Sequence, residues 1–462
     1  MKEGLQENRL MEICEKAAAK IPRNKADQWE IFAARSVENE IDIFGQKIET
    51  LSFSDSTGIG IRIFRDRSIG YAYTAVLDDY AVEDTIDRAI ANSLVTKKDR
   101  LNYLPAEDDQ RYRNNLFDRD TLFSKDFRQV SIGRKIEMAM ELEELTRNAD
   151  KRITGVSDAS YNDSMSHACI INSSGFSGKY STTIAMVYAS AISRESGDTS
   201  TGEYFGIARD PAGLDIKDVA VNAARRSTAI LGGRKIRSGK MDIILDPMTS
   251  AQFLSVIASS LSADAVQKSK SLFKDKIGQK LFGMDIDIFD DGTLPEGLAS
   301  RPFDGEGVIK GKTPVFKDGV LETFLYDTYT ARKDKTLSTG NAVRASYRST
   351  PTVGLSNFYI SPGKNDPADM IGAVDRGFYI MDIIGLGSGT NPISGQMSVG
   401  AKGLMIEKGR LTHAVKEVTI AADILGFLSS FRMLGDDLQF VPGSGYMGSP
   451  SAMLENISIS GK

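Results

Sequence analysis

The chain has 462 residues, 41% of them hydrophobic and 26% charged, with a formal net charge of −5 and a pI near 5.5. That length favours two or three domains over a single core, and the composition is that of an ordinary soluble globular protein. Lys and Arg are scattered without a basic stripe, which argues against nucleic acid as a partner, and no run reaches the roughly 18 apolar residues of a membrane helix.

The start, Met1 to Asn8, has no apolar signal core, so a cytoplasmic location is expected. Cys14 and Cys169 are isolated in sequence and do not suggest a disulfide framework. His167 and His413 are the chain's two histidines, and each reads as surface or strand filler. A zinc site draws on three or four nitrogen, sulfur or carboxylate ligands, and this chain cannot build a histidine-rich one.

Leu5 to Lys20 suits an amphipathic helix stopped by Pro22. From Trp29 the period changes to two. Glu40–Phe44, Lys47–Leu51, Thr57–Arg65 and Ile69–Tyr73 read as short strands of an antiparallel meander, with a turn at Asp66-Arg67. Asp79 to Ser93 returns to helical spacing, with Val82, Ile86, Ala89 and Ile90 on one face. Leu101 to Lys125 is polar and irregular, with Pro105–Asp109 as a linker. Val130 to Asn148 is a long helix. Arg152–Asp158, Cys169–Asn172 and Tyr180–Ser190 are strands, and Ile216–Leu231 is a helix ended by Gly232-Gly233.

The main boundary falls near residue 235. It separates an N-terminal α+β region, 1–235, with a possible sub-boundary at 100–125, from a β-rich C-terminal domain, 236–462. The second part opens with a strand, Met241–Leu245. Asp246 is placed to cap a helix from about Met248 to Leu261, with Pro247 at its first position. Strands are then expected at Ile286–Phe289, Gly307–Ile309, Val320–Tyr326 and Phe358–Ile360, a last helix at Ile424–Met433, and a terminal strand at Ile457–Ile459.

The stretch Gly385–Gly403 is glycine-rich and contains Pro392, so it reads as a shaped loop with backbone groups free for a partner. Leu404–Arg410 and Leu411–Ile420 follow as a hairpin that turns at Lys408-Gly409. Several apparent motifs fail. Gly305–Thr313 has the wrong glycine spacing for a phosphate loop, and Pro314 obstructs the helix that should follow. Gly385-x-Gly387 lacks a third glycine at Thr390. Ser271-x-x-Lys274 lacks its companion motifs. Asp285, Asp287, Asp290 and Asp291 read as the solvated side of a strand and turn in preference to a cation site.

Phe289–Pro295, Phe303–Gly307, Lys317–Leu321, Ser338–Arg344, Asn391–Gly395, Val418–Ala421 and Gly435–Asp437, taken in order, resemble the TldD/PmbA family, once called modulators of DNA gyrase. Asp55–Arg62 in the N-terminal meander also fits. The resemblance implies a cytoplasmic metalloprotease assembled from two kinds of subunit. The TldD type carries His-Glu-x-x-x-His on the helix after the first C-terminal strand and a Cys in a late glycine-rich segment. The PmbA type, also called TldE, lacks them. Here Ser255 and Ser260 stand where the histidines would be and Val256 where the glutamate would be, and Pro442–Pro450 has no Cys. The departure implies a PmbA/TldE-type subunit with no catalytic residue and no metal of its own. Zinc is then expected in a TldD-type partner that acts on unfolded peptides.

In that reading Gly389, Asn391, Gly395 and Ser398 line the peptide path. The alternatives are a stand-alone homodimeric peptide-binding or scaffold protein, and an independent hydrolase, for which no nucleophile–base pair appears.

Overall fold

The structure is a computed structural model and describes residues 3–106, 111–112, 117–443 and 445–462. The expected linker at Pro105–Asp109 lies, from Glu107 on, outside the described residues. Helix α1 (Glu3–Lys20) opens the chain. Two long strands follow, β1 (Gln28–Phe44) and β2 (Lys47–Arg65), then β3 (Ser68–Thr74). The expected short strands at Glu40–Phe44 and Lys47–Leu51 are therefore the far ends of long ones. Polar residues at Ser36–Asn39 do not interrupt β1, because they pair in register with Ser56–Phe53 of β2. The tip turns at Gly45 and Gln46, with φ of 60° and 59°, as a two-residue hairpin loop requires.

Helix α2 (Asp79–Val95) is capped by Asp78 and α3 (Ile132–Asn148) by Ser131. Then come β4 (Ile153–Asn172), β5 (Ser177–Glu195), β6 (Asp198–Ala208) and α4 (Ile216–Thr228). The two strands expected at Arg152–Asp158 and Cys169–Asn172 are the ends of the single strand β4. Strand β6, which opens with the polar run Asp198–Glu203, was not expected. These six strands form one antiparallel sheet in the order β3-β2-β1-β4-β5-β6. The four helices cover one face of it. Leu10, Cys14, Val82 and Ile86 meet Ile31, Ile61 and Cys169, while Met138, Leu142 and Val219 meet Ile41, Tyr161 and Val187.

The remaining elements are β7 (Gly239–Leu245), α5 (Pro247–Ser260), α6 (Ala263–Gln267), β8 (Ile288–Asp291), β9 (Lys312–Lys317) and β10 (Val320–Leu321). They continue with α7 (Thr328–Asp334), β11 (Ala342–Val343), β12 (Thr352–Val353), β13 (Asn357–Ile360), α8 (Pro367–Gly372) and β14 (Arg376–Ile384). The last are β15 (Gln396–Glu407), β16 (Arg410–Asp423), α9 (Ile424–Ser429), β17 (Phe431–Leu434), β18 (Gln439–Pro442), β19 (Tyr446–Ser449) and β20 (Ala452–Ser460). Two further six-stranded sheets result, β10-β9-β8-β13-β19-β18 and β16-β15-β14-β7-β20-β17, and an extra β16–β20 pairing closes five strands of the second into a barrel. Their shared core includes the fully buried rings of Phe253, Phe316, Phe358, Phe378, Phe427 and Phe431. The α+β class with a β-rich C-terminal region is the observed one.

Several expectations in this half are corrected. Gly307–Ile309 forms no strand, only an isolated Phe303–Ile309 bridge. The strand expected over Val320–Tyr326 is a strand only at Val320-Leu321, with an isolated bridge from Leu325 to Ser262 beyond it. The helix expected to Met433 stops at Ser429, because Ser429 and Ser430 both turn their hydroxyls back onto the Gly426 carbonyl and Phe431 enters the core as strand. Asp290 and Asp291 are not solvated. They lie on β8 between β9 and β13, and both are buried. Asp290 accepts from Asn341 Nδ2 at 2.7 Å and from the Ser356 amide at 2.7 Å, and burial pushes its carboxyl above the usual range. Only Asp285 and Asp287 behave as expected, pairing with Lys280 and Lys317 at 2.5 and 2.6 Å.

The two halves are joined by a buried charge cluster. Arg62 on β2 pairs with Glu30 on β1 at 2.9 Å and with Glu306 at 3.3 Å, and Arg344 reaches the other oxygen of Glu30.

Candidate functional site

Helix α5 starts where the sequence places it. The Asp246 carboxylate accepts from the Thr249 amide at 2.8 Å, and Pro247 occupies the first helical position. The second oxygen of Asp246 pairs with Arg226 Nη1 at 2.5 Å, which ties α5 to α4. One turn from the end of the helix, Ser255 donates its hydroxyl to the Gln252 carbonyl at 2.6 Å. Val256 packs half-buried against the core. Ser260 is buried, and its hydroxyl donates to the Pro392 carbonyl at 3.3 Å.

The late segment Pro442–Pro450 packs beside α5, where Ser449 and Ser250 hydroxyls meet at 2.7 Å. The late segment thus packs on the same helix that carries the three motif positions, meeting it at Ser250. None of these side chains offers a nitrogen, thiolate or carboxylate, so this donor set does not fit zinc. Among the described residues, no three His, Cys, Asp or Glu side chains are grouped to hold a metal ion.

The glycine-rich stretch is only half a loop. Gly385–Gly395 is irregular, but Gln396–Gly403 is already β15. Ser398 therefore sits on a strand paired with Ala421, and Gly403 permits a close approach: a Cβ there would lie 1.9 Å from the Tyr379 carbonyl oxygen. The loop's backbone groups are also less free than the sequence suggests. Gly389 donates to Gly385 at 2.7 Å and accepts from Ser398 at 2.7 Å; Asn391 donates to Gln396 at 2.8 Å and accepts from Gly395 at 2.9 Å. The Asn391 carboxamide oxygen accepts from the Ile393 and Ser394 amides at 2.9 and 3.0 Å, so it shapes its own turn. Gly395 has φ of +79° and is buried, and its carbonyl accepts from Ile424 at 2.7 Å. Pro392 offers its carbonyl to Ser260 and to the Leu272 amide, at 3.2 Å for the latter.

Beside this loop is a hollow of about 820 Å³ lined by Ser388–Pro392, Gln396–Ser398 and Ala421–Asp423. Three of the four expected site residues, Gly389, Asn391 and Ser398, face it; Gly395 is the pivot behind them. The Thr390 hydroxyl is buried at its edge without a hydrogen-bond partner among the described residues.

Two groupings escaped the sequence reading. Cys14 and Cys169 touch, with sulfurs 3.2 Å apart. Helical spacing of Leu10, Cys14 and Ala17, and the strand parity that Cys169 shares with Ile171, carried that signal. Asp304, Glu306 and Asp327 form a buried acidic group near Arg62. Burial and then the charge of Glu306 raise Asp304 to about 7 and Asp327 to about 6, while for Glu306 burial is outweighed by Arg62, hydrogen bonds from Thr328 and Arg344 acting together, which hold it low. Their spacing shows no periodic signal.

These features define a class: an α+β protein with a five-stranded barrel, whose first C-terminal helix meets a glycine loop. Family models match in series: PmbA/TldA metallopeptidase domain 1 at residues 29–93, the central domain at 125–231 and the C-terminal domain at 238–461. The chain belongs to the PmbA/TldD metallopeptidase family. An uncharacterized protein of Methanocaldococcus jannaschii is 31% identical over 384 residues, covering 82% of this chain and 85% of that one. Metalloprotease PmbA of Escherichia coli O157:H7 is 24% identical, covering 94% and 93%. Among solved structures, a Thermotoga maritima protein described as a candidate modulator of a DNA gyrase superposes with a TM-score of 0.87 at 25% identity, over 97% and 99% of the two chains. TldE of Thermococcus kodakarensis shares the fold, with a TM-score of 0.86 at 22% identity over 96% and 100%.

Proposed function

We propose that this chain is a non-catalytic, PmbA/TldE-like subunit of a heteromeric TldD/TldE-type zinc metalloprotease that acts in the cytoplasm on unfolded peptides or peptide precursors. The observation that carries this reading is the occupancy of α5. Ser255 and Ser260 spend their hydroxyls on the Gln252 and Pro392 carbonyls, Val256 packs on the core, and the segment beside them brings no thiol. Hydrolysis by zinc needs fixed ligands, an open coordination position and a base, and these groups supply none. The loop and its hollow are nonetheless fully built, which supports a role in holding peptide. Asn391 would present its amide nitrogen and Ser398 its hydroxyl to the peptide, while Gly389 and Gly395 set the loop's shape. A TldD-type partner would contribute the zinc, and the pair would place the peptide by orientation.

The test measures cleavage of a denatured protein by this chain, by a TldD-type subunit from the same cell, and by their mixture. The mixture should cleave in a chelator-sensitive manner and this chain alone should not. Chelator-sensitive cleavage by the stringently purified chain would overturn the reading.

A further inference from the structure

The chain has two cysteines, Cys14 and Cys169, 155 positions apart. The fold brings their sulfurs to 3.2 Å, in direct contact, with both residues wholly buried and both thiols free. Cys14 lies on the sheet-facing side of α1 with Leu10 and Ala17. Cys169 rises from β4, in register with Ala33 of β1 and Lys179 of β5. The pair therefore sits at the seam between the N-terminal helix and the middle of the first sheet. With no third cysteine in the chain, neither has another internal partner.

From this geometry we propose that Cys14 and Cys169 are a covalent modification site, a dithiol that an external disulfide oxidant converts to an internal disulfide fastening α1 to β4. The chemistry balances in two exchanges. One cysteine thiolate attacks a sulfur of the oxidant R–S–S–R, forming a mixed disulfide and releasing R–S⁻. The second cysteine thiolate then attacks the protein-side sulfur and expels the other R–S⁻. The two thiol protons end on the two leaving thiolates. Two protein thiols are oxidised, and one oxidant is reduced to two R–SH.

Burial makes the docked pair unreactive. Contact with Cys169, and then burial, hold the Cys14 thiol well above its ordinary range, where little thiolate exists. The first exchange therefore runs through transient undocking of α1, a helix held to the sheet by one face. Redocking restores the sulfur contact, so the second exchange is intramolecular and outruns addition of a second oxidant molecule. The closed loop is long, so the link constrains the unfolded chain strongly. The site is independent of the glycine loop and of the peptidase reading.

The experiment incubates the full chain with oxidised glutathione at mildly alkaline pH, with and without sub-denaturing urea, and reads intact mass without reductant. Wild type should lose two hydrogens and gain no lasting glutathione. Urea that loosens α1 should speed the loss. The oxidised form should melt several degrees higher, and dithiothreitol should reverse the shift. Cys169→Ser should stop at the glutathione adduct on Cys14; Cys169→Ala serves if the serine impairs folding. Persistent adducts on wild type, no oxidation in urea that exposes the α1 amides to exchange, or an oxidised chain that melts no higher would overturn the proposal.

Discussion

The Ser260 hydroxyl donates to the Pro392 carbonyl across 3.3 Å, joining the end of α5 to the tip of the glycine loop. A position that the family resemblance equates with a metal ligand serves here as a loop anchor. The Leu272 amide shares the same carbonyl at 3.2 Å, so the loop has two moorings. Ser260→Ala should cost about 1 kcal/mol by removing one hydrogen bond. Its clearer signature should be faster amide exchange over Leu386–Ser394 with the rest of the chain unchanged. Exchange at the wild-type rate would remove Ser260 as an anchor.

Gly395 has φ of +79°, and a Cβ there would stand 3.0 Å from the Asp423 carboxylate. A β-branched residue is strained in that region, so Gly395→Val should destabilise the chain by about 1–3 kcal/mol. Gly389 is constrained differently. Its Cβ would lie 2.2 Å from the Ser398 carbonyl oxygen, on backbone that cannot swing aside. Gly389→Ala should therefore displace the loop from β15. Thermal melts check the first substitution, and Ser398 amide exchange checks the second.

How much of this was legible from sequence depends on the element. The start of helix α5 was readable, because Asp246 and Pro247 are local signals with local causes, while its expected end at Leu261 lies one residue past the observed Ser260. The Lys408-Gly409 turn was readable for the same reason, and both residues have positive φ, 51° and 71°. The far half of the glycine stretch was not. Glycine there serves close approach to β14, and that demand comes from the pairing register across the loop, which no local pattern records. Asp290 looked like a surface acid because its partners, Asn341 and Ser356, lie 51 and 66 positions away. The family was legible through the resemblance, but the Ser260–Pro392 bond was visible only in three dimensions.

Asp246 does two jobs, capping α5 and neutralising Arg226, and both residues are nearly buried. Asp246→Ala should remove a cap worth about 1 kcal/mol and leave a buried guanidinium without its carboxylate, which costs a further 3–5 kcal/mol or so. Asp246→Asn keeps the cap oxygen, so it should isolate the charge effect. Urea titrations of the two variants check this, and equal losses would mean the ion pair contributes little.

Stability should fall as pH rises from about 5 to about 7. Burial and Glu306 raise Asp304 to about 7, and burial and Glu306 raise Asp327 to about 6, against an unfolded carboxyl near 3.9. Across that window the folded chain keeps protons that the unfolded chain has released, so the contribution is full below the unfolded value and is lost as pH passes the folded one. Glu306 is shifted down, so its contribution is lost only at lower pH, as pH falls through its folded value. Each raised group contributes at most about 1.4 kcal/mol per pH unit. Asp304→Asn should flatten the slope between pH 5 and 7, as read from urea midpoints, whatever it does to absolute stability. An unchanged slope would exclude Asp304 as a titrating group in the window.

Restoring the ligand letters should not restore catalysis. Ser255→His, Val256→Glu and Ser260→His together give α5 the residues of His-Glu-x-x-x-His, but three features of this chain stand against activity. Positions five apart on a helix diverge by about 140°, so both rings cannot face one metal unless the helix is distorted. Ser260 is 1% exposed and holds Pro392, so an imidazole there must displace the glycine loop. The segment Pro442–Pro450 has no thiol to complete the set, and metal ligands also need neighbouring groups to orient them. The triple variant should therefore bind zinc weakly and cleave no denatured protein alone, and it should also weaken cleavage by the mixture with a TldD-type subunit because the loop is displaced. Ser255→His alone, at a half-buried position away from Pro392, should leave the mixture's activity nearly intact. Zinc stoichiometry after dialysis and cleavage by each mixture decide the matter. Robust metal-dependent cleavage by the triple variant alone would show that α5 retains an active geometry and needs only its ligands.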